Sequence, residues 1–166
     1  MPMKKSTQTL DVLLLNLPVA LTLCVVAQLL TIAQGQMAAF SWNMFGINFV
    51  VSYLLAFVIG MTIPCVKWGL AFAMKCKAKP GSWVFGALIN VIVNTTYAVI
   101  LCALMTIFNV CILGGAPAIA ALFGFLADII PIWIACYIVS FLCVRPAESL
   151  ARACTGDRLT AQPPKV

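Results

Sequence analysis

The chain has 166 residues, 64% of them hydrophobic and 8% charged, and its net charge is +6. A soluble domain carries about 25% charged residues, so with a mean hydropathy of +1.11 a water-soluble core is excluded. The basic excess has a reading other than nucleic-acid binding, because of where it lies. Between Val12 and Val66 no side chain is charged, and between Pro80 and Val144 only Asp128 is. All Lys and Arg fall in three places: Lys4 and Lys5; Lys67, Lys75, Lys77 and Lys79; Arg145, Arg152, Arg158 and Lys165.

A hydrocarbon core of about 30 Å needs about 20 apolar residues per helix. Four segments qualify, 11–33, 44–66, 83–113 and 117–144, and they leave no room for a separate soluble domain. Ahead of the first span, Lys4 and Lys5 resemble the start of a signal peptide. The apolar run that follows is too long for one and contains Asn16, Pro18 and Gln28, so it is read as a retained span. After the second span, Trp68, Leu70, Phe72 and Met74 alternate with small residues and lysines follow, up to Lys79-Pro80-Gly81. This predicts a short interfacial helix over 67–79, with a counterpart over 147–153. Residues 155–166, ending Gln162-Pro163-Pro164-Lys165-Val166, are expected to be a disordered tail. The loops 34–43 and 114–116 carry no charge. The positive-inside rule then places both termini and the middle loop on the cytoplasmic side, against anionic headgroups. Pro18, Pro64 and Pro131 are expected to kink their helices.

The chain repeats itself. A shift of 78 lays 44–66 on 122–144, bringing Phe45 onto Phe123, Gly46 onto Gly124, Thr62 onto Ser140 and Cys65-Val66 onto Cys143-Val144. The register continues with Lys67 on Arg145, Ala73 on Ala151 and Cys76 on Cys154. A shift of 74 aligns the first and third spans, with Asn16 on Asn90 and Thr22 on Thr96. The expected fold is an all-α integral membrane protein of four transmembrane helices. Two tandem two-span repeats, 1–79 and 80–154, would be related as parallel repeats about an axis along the membrane normal, with both termini inside.

Two stretches resemble a known family. Leu104-Met105-Thr106-Ile107-Phe108-Asn109-Val110-Cys111-Ile112-Leu113-Gly114-Gly115 and the exit Arg145-Pro146-Ala147-Glu148-Ser149-Leu150-Ala151-Arg152 look like the bacterial two-span family called domain of unknown function twenty-seven ninety-eight. Some of its members carry the unit in tandem. The second half resembles it better than the first, where Pro64 and Lys67 echo the exit but the Gly-Gly is missing. The resemblance implies a protein of the bacterial cytoplasmic (inner) membrane. That family has no established activity, so nothing about function follows from it.

The eight cysteines include no CxxC pair and the chain has no His, so no metal site and no cofactor is expected. Most cysteines fall within spans and read as small apolar packing residues. The sequon Asn94-Thr95-Thr96 lies inside a span, out of reach of glycosylation. Enzyme chemistry is not expected: there is no Ser–Lys or Gly-x-Ser-x-Gly arrangement, no paired carboxylates in reach and no phosphate loop.

Asp128 is the acid deepest in a span, about 17 Å from the outer end of the fourth helix. A charged Asp at midplane costs about 2.5–3.5 kcal/mol, and such residues face a bundle interior and find a partner. Ala116, Ala120, Gly124 and Asp128 recur every four residues, a small-residue stripe that admits a neighbouring helix. Pro131 frees the carbonyl of Ala127. Asn90, Asn94 and Tyr97 form a polar stripe on the third helix, and Thr22, Ser52 and Tyr53 reach similar depth on the first two. The candidate site is therefore Asp128, Asn94, Tyr97 and Asn90 at midplane, with Asn16 and Asn90 as a paired set nearer the inner face. Two functions stay open. One is a small transporter or channel using Asp128 for proton or cation coupling. The other is a non-catalytic accessory or structural subunit whose polar residues set helix pairing. Expected partners are the lipid bilayer and either a second copy of the chain or another membrane protein.

Overall fold

The structure, a computed structural model, describes residues 4–156. Among these it is all-helical: α1 (Lys5–Ala33), α2 (Trp42–Thr62), α3 (Cys65–Lys75), α4 (Trp83–Thr106), a π-helical segment (Ile107–Leu113) and α5 (Ala118–Thr155). Four stretches, Ser6–Ala33, Trp42–Thr62, Trp83–Leu113 and Ala118–Thr155, are long and apolar enough to cross a membrane. The chain is a multi-pass membrane protein. The helices fall where the four expected spans do but differ in their ends, and local chemistry explains most of those differences.

The hydroxyls of Ser41 and Ser82 start α2 and α4. Ser41 accepts from the Met44 amide at 3.4 Å and Ser82 from the Phe85 amide at 3.1 Å, each pairing a donor that the first turn leaves open. Pro64 does more than kink: α2 stops at Thr62, Ile63 is extended, and α3 begins after Pro64. A residue before proline avoids the helical region, so the second expected span loses its last turn and α3 starts at Cys65 rather than at 67. It also ends earlier than expected, at Lys75. Beyond it Lys77 is left-handed (φ 56°), and the Ala78 amide bonds the Ala73 carbonyl at 3.2 Å, a C-terminal cap. Pro18, Pro131 and Pro146 lie inside continuous helices. The expected separate helix over 147–153 is instead the end of α5, which runs 38 residues, about 57 Å, and closes on left-handed Gly156 (φ 64°). Of the tail expected over 155–166, Thr155 is helical and Gly156 is this cap; the rest lies outside the described residues.

On the opposite side, α4 widens into the π-helix. The Asn109 side chain donates to the Met105 carbonyl at 2.8 Å, and the amides of Gly114 and Ala116 reach back to the Asn109 and Val110 carbonyls, both at 3.0 Å.

α1 lies along α5 and α2; α4 is flanked by α3 and α5 and touches α2 more lightly. Leu23 and Cys24, Ala56 and Ile59, Leu101 and Cys102, and Ile132 and Cys136 meet in one core. Each long helix buries only a narrow stripe. On α5, Leu122, Leu126, Ile130, Ile134, Ile138 and Leu142 recur every four residues and are all exposed, which is the outward face that lipid solvates. Lipid gives no hydrophobic drive for helices to associate, so close packing must supply it. α3 illustrates this. Its buried residues are Cys65, Gly69 and Ala73, and a Cβ at Gly69 would stand 2.8 Å from the Ile89 carbonyl oxygen.

Candidate functional site

Asn90 and Asn94 are one turn apart on α4 and share a face, and they are only 7% and 3% exposed. Both turn to α5. Asn90 Nδ2 donates to Ser140 Oγ at 3.0 Å and to the Tyr137 carbonyl at 3.3 Å, and the Ser140 hydroxyl lies 3.2 Å from Asn90 Oδ1. Asn94 Nδ2 donates to the Trp133 carbonyl at 3.0 Å, and the Trp133 indole donates back to Thr95 Oγ1 at 3.0 Å. The Tyr137 hydroxyl reaches the Ala87 carbonyl at 3.4 Å. The α4–α5 seam is thus stitched over about two turns, with the rings of Trp133, Tyr137 and Phe141 stacked along α5.

Tyr97 points the other way. Its hydroxyl lies over Gly60 of α2, where a Cβ would collide with it and stand 2.7 Å from Val12 Cγ1 of α1. Asn16 is 4% exposed, yet its Nδ2 lies outside hydrogen-bonding geometry with any group. No hydrogen bond joins the expected pair Asn16 and Asn90: the Asn16 amide nitrogen is unbonded and Asn90 meets Ser140. Thr22 bonds its own helix at Pro18, Ser52 meets Cys24 at 3.4 Å, and the Tyr53 hydroxyl donates to the Leu13 carbonyl at 3.2 Å.

Asp128, expected to group with Asn94, Tyr97 and Asn90, makes its hydrogen bond to a different residue. Its Oδ1 accepts from Gln34 Nε2 at 3.0 Å, and Gln34 in turn accepts from Gln36 at 3.0 Å. Gln34 is the first residue past α1, so this bond ties α5 to the polar loop that follows α1. Asp128 lies five residues, about 7.5 Å, along α5 from Trp133, where Asn94 bonds.

At the other end of the α1–α5 seam is a group that sequence reasoning missed. The hydroxyls of Thr7 and Thr155 are 2.9 Å apart. Arg152 and Glu148, one turn apart, form an ion pair at 2.8 Å. Asp11 lies within electrostatic reach of both, with its Oδ1 buried and unbonded. The Glu148–Arg152 spacing was a legible i,i+4 signal; that Asp11 faces it was not. Gln34, Gly60, Ser140 and Trp133 were also missed as partners, since nothing in their local sequence marks a contact made across the bundle.

The thiols of Cys24, Cys102 and Cys136 are buried in the core, Cys65 is buried at the start of α3, and Cys76 and Cys154 are exposed. Among the described residues no three Cys, Asp or Glu side chains are arranged to hold a metal ion. No family model, curated protein or solved structure matches this chain.

Proposed function

We propose that this chain is a non-catalytic accessory or structural protein of a membrane assembly, whose buried polar side chains set helix pairing. The observation that carries this reading is the α4–α5 seam. Asn90 and Asn94 would be the natural lining of a pathway, but Asn90 is engaged by Ser140 and the Tyr137 carbonyl and Asn94 by the Trp133 carbonyl. Such bonds contribute about 0.6–2 kcal/mol each in a membrane. They also fix rotation and register, which apolar side chains alone leave loose. One observation favours the transport reading: Asp128 is half-buried and bonded to the neutral Gln34 rather than to a cation.

The same proposal includes a tandem origin, with both termini on the basic, cytoplasmic side of a bacterial inner membrane and kinship to the two-span family of the sequence resemblance. Packing supports the duplication. α3 covers α4, and the end of α5 covers α1, so each half closes over the first helix of the other. Gly69 and Ala73, shifted by 78, fall on Ala147 and Ala151, and all four are buried. Within the spans the buried register is 80 instead, Ser52 on Ile132 and Ala56 on Cys136. The difference has a cause: 17 residues separate Ser52 from Gly69 and 15 separate Ile132 from Ala147, and the extra two match the non-helical Ile63 and Pro64.

The test is proton and monovalent-cation flux in proteoliposomes, with Asp128→Asn beside the parent chain. The structural reading expects both proteins to fold and neither to exceed empty vesicles. Flux through the parent that Asp128→Asn abolishes would overturn it in favour of transport.

A further inference from the structure

We propose that the exposed side of α3 and the turn after it form a docking surface for anionic phospholipid headgroups, holding this end of the bundle against a negatively charged bilayer leaflet. The positive charge on this surface is uncompensated. Lys67, Lys75, Lys77 and Lys79 lie within thirteen residues and all are exposed. Between Val12 and Ala127 the chain has no acidic residue. Among the described residues no ion pair engages these four lysines, whereas Arg152 is held by Glu148.

The packing of α3 sets the orientation. Cys65, Gly69 and Ala73 are pressed against α4, so Lys67 and Lys75, eight residues apart, share the face turned away from it. Apolar side chains flank that face on both sides: Leu70 and Met74 on one, Trp68 and Phe72 on the other, all exposed. Trp68 is 51% exposed, and Trp83, just past the lysine turn, is 68% exposed. Cations beside exposed indoles and apolar side chains match the boundary where phosphate gives way to acyl chain. The apolar flanks decide between a lipid surface and a free phosphate, since only a lipid would use them. The opposite end of the bundle carries no charged side chain in either connecting loop, 34–41 or 114–117, so the surface belongs to one leaflet.

Native mass spectrometry of the full chain in detergent, supplied with equal phosphatidylglycerol and phosphatidylcholine, tests this. The parent is expected to retain phosphatidylglycerol preferentially, and the preference should shrink as salt is raised. Replacing Lys75, Lys77 and Lys79 together by Gln should weaken it by about fivefold per lysine, while replacing all three by Arg should preserve it. Should the Gln triple not fold, Lys77→Gln and Lys79→Gln singly are read the same way. Equal retention of the two lipids by the parent overturns the proposal, and so does an undiminished preference in the Gln variants. Displacement of the lipid by inorganic phosphate also overturns it, since it would mark an isolated phosphate site.

Discussion

Replacing a helical glycine by alanine normally stabilises a helix by about 0.8–1.0 kcal/mol, because alanine loses less backbone entropy. The bundle contains glycines where that gain should appear and others where it should reverse. At Gly46 in α2 and Gly86 in α4 an added Cβ meets nothing within 4 Å. At Gly69 in α3 the same atom would stand 2.8 Å from the Ile89 carbonyl oxygen, 3.0 Å from Ile89 Cγ2 and 3.1 Å from Ile89 Cα. Two of those three atoms belong to the backbone of α4 and cannot swing aside, so α3 must lift by several tenths of an ångström along its whole contact. Overpacking of this kind costs about 1–3 kcal/mol. Set against the propensity gain, Gly69→Ala should be destabilising by about 1 kcal/mol, while Gly46→Ala and Gly86→Ala should be stabilising by up to about 1 kcal/mol. Thermal unfolding in a single detergent, followed by circular dichroism and size-exclusion recovery, ranks the three variants. If Gly69→Ala melts at or above Gly86→Ala, α3 is not packed on α4 as described, and its lysines need not face outward.

In a double-mutant cycle of Asn90→Ala and Ser140→Ala, a coupling of about 0.6–1.7 kcal/mol is expected, and a value near zero by reversible unfolding would remove the seam as a pairing device. With exposed Cys76 and Cys154 changed to Ser, Gln34→Cys with Asp128→Cys should form an oxidative cross-link and Asn94→Cys with Asp128→Cys should not; the opposite pattern would return Asp128 to the Asn94 level. A membrane-impermeant maleimide should label Cys76 and Cys154 quickly and from the same side of intact vesicles, while the buried Cys24, Cys65, Cys102 and Cys136 label only after denaturation. Labelling of Cys76 and Cys154 from opposite faces would refute the proposed orientation.

Much of the architecture was legible because lipid is a demanding solvent. Every backbone group in a span must bond internally, so long uncharged stretches become helices and charges mark their ends. Helix boundaries were legible only where a residue acts on its own neighbours. Ser41 and Ser82 cap, and Pro64 disfavours the helical region at Ile63. Pro131 and Pro146 look alike in sequence, yet α5 passes through both, because a proline's effect depends on what surrounds the freed carbonyl.

The candidate site was less legible. Depth can be counted along one helix, but rotation and the relative height of two helices cannot. Asp128, Asn94 and Tyr97 have compatible counts. In the bundle Asn94 faces α5, Tyr97 faces α1 and α2, and Asp128 meets the loop at the end of α1. Gly60 shows the same limit: its role is to leave space for a hydroxyl 37 residues away in sequence, and local pattern does not encode a distant side chain's position.

What the sequence determined by itself, then, was the number of apolar helices, their approximate ends and the gathering of basic residues into three clusters. These follow from one-dimensional quantities, apolar length and charge position, which the bilayer reads directly. Only the tertiary structure decided that α3 seats on α4 while α5 runs unbroken along α1, that Asn90 meets Ser140 rather than Asn16, and that Asp128 answers to Gln34. Those outcomes depend on which small residues let two backbones approach and on how far each helix extends past its neighbour, and both are properties of pairs of helices rather than of any single stretch of chain.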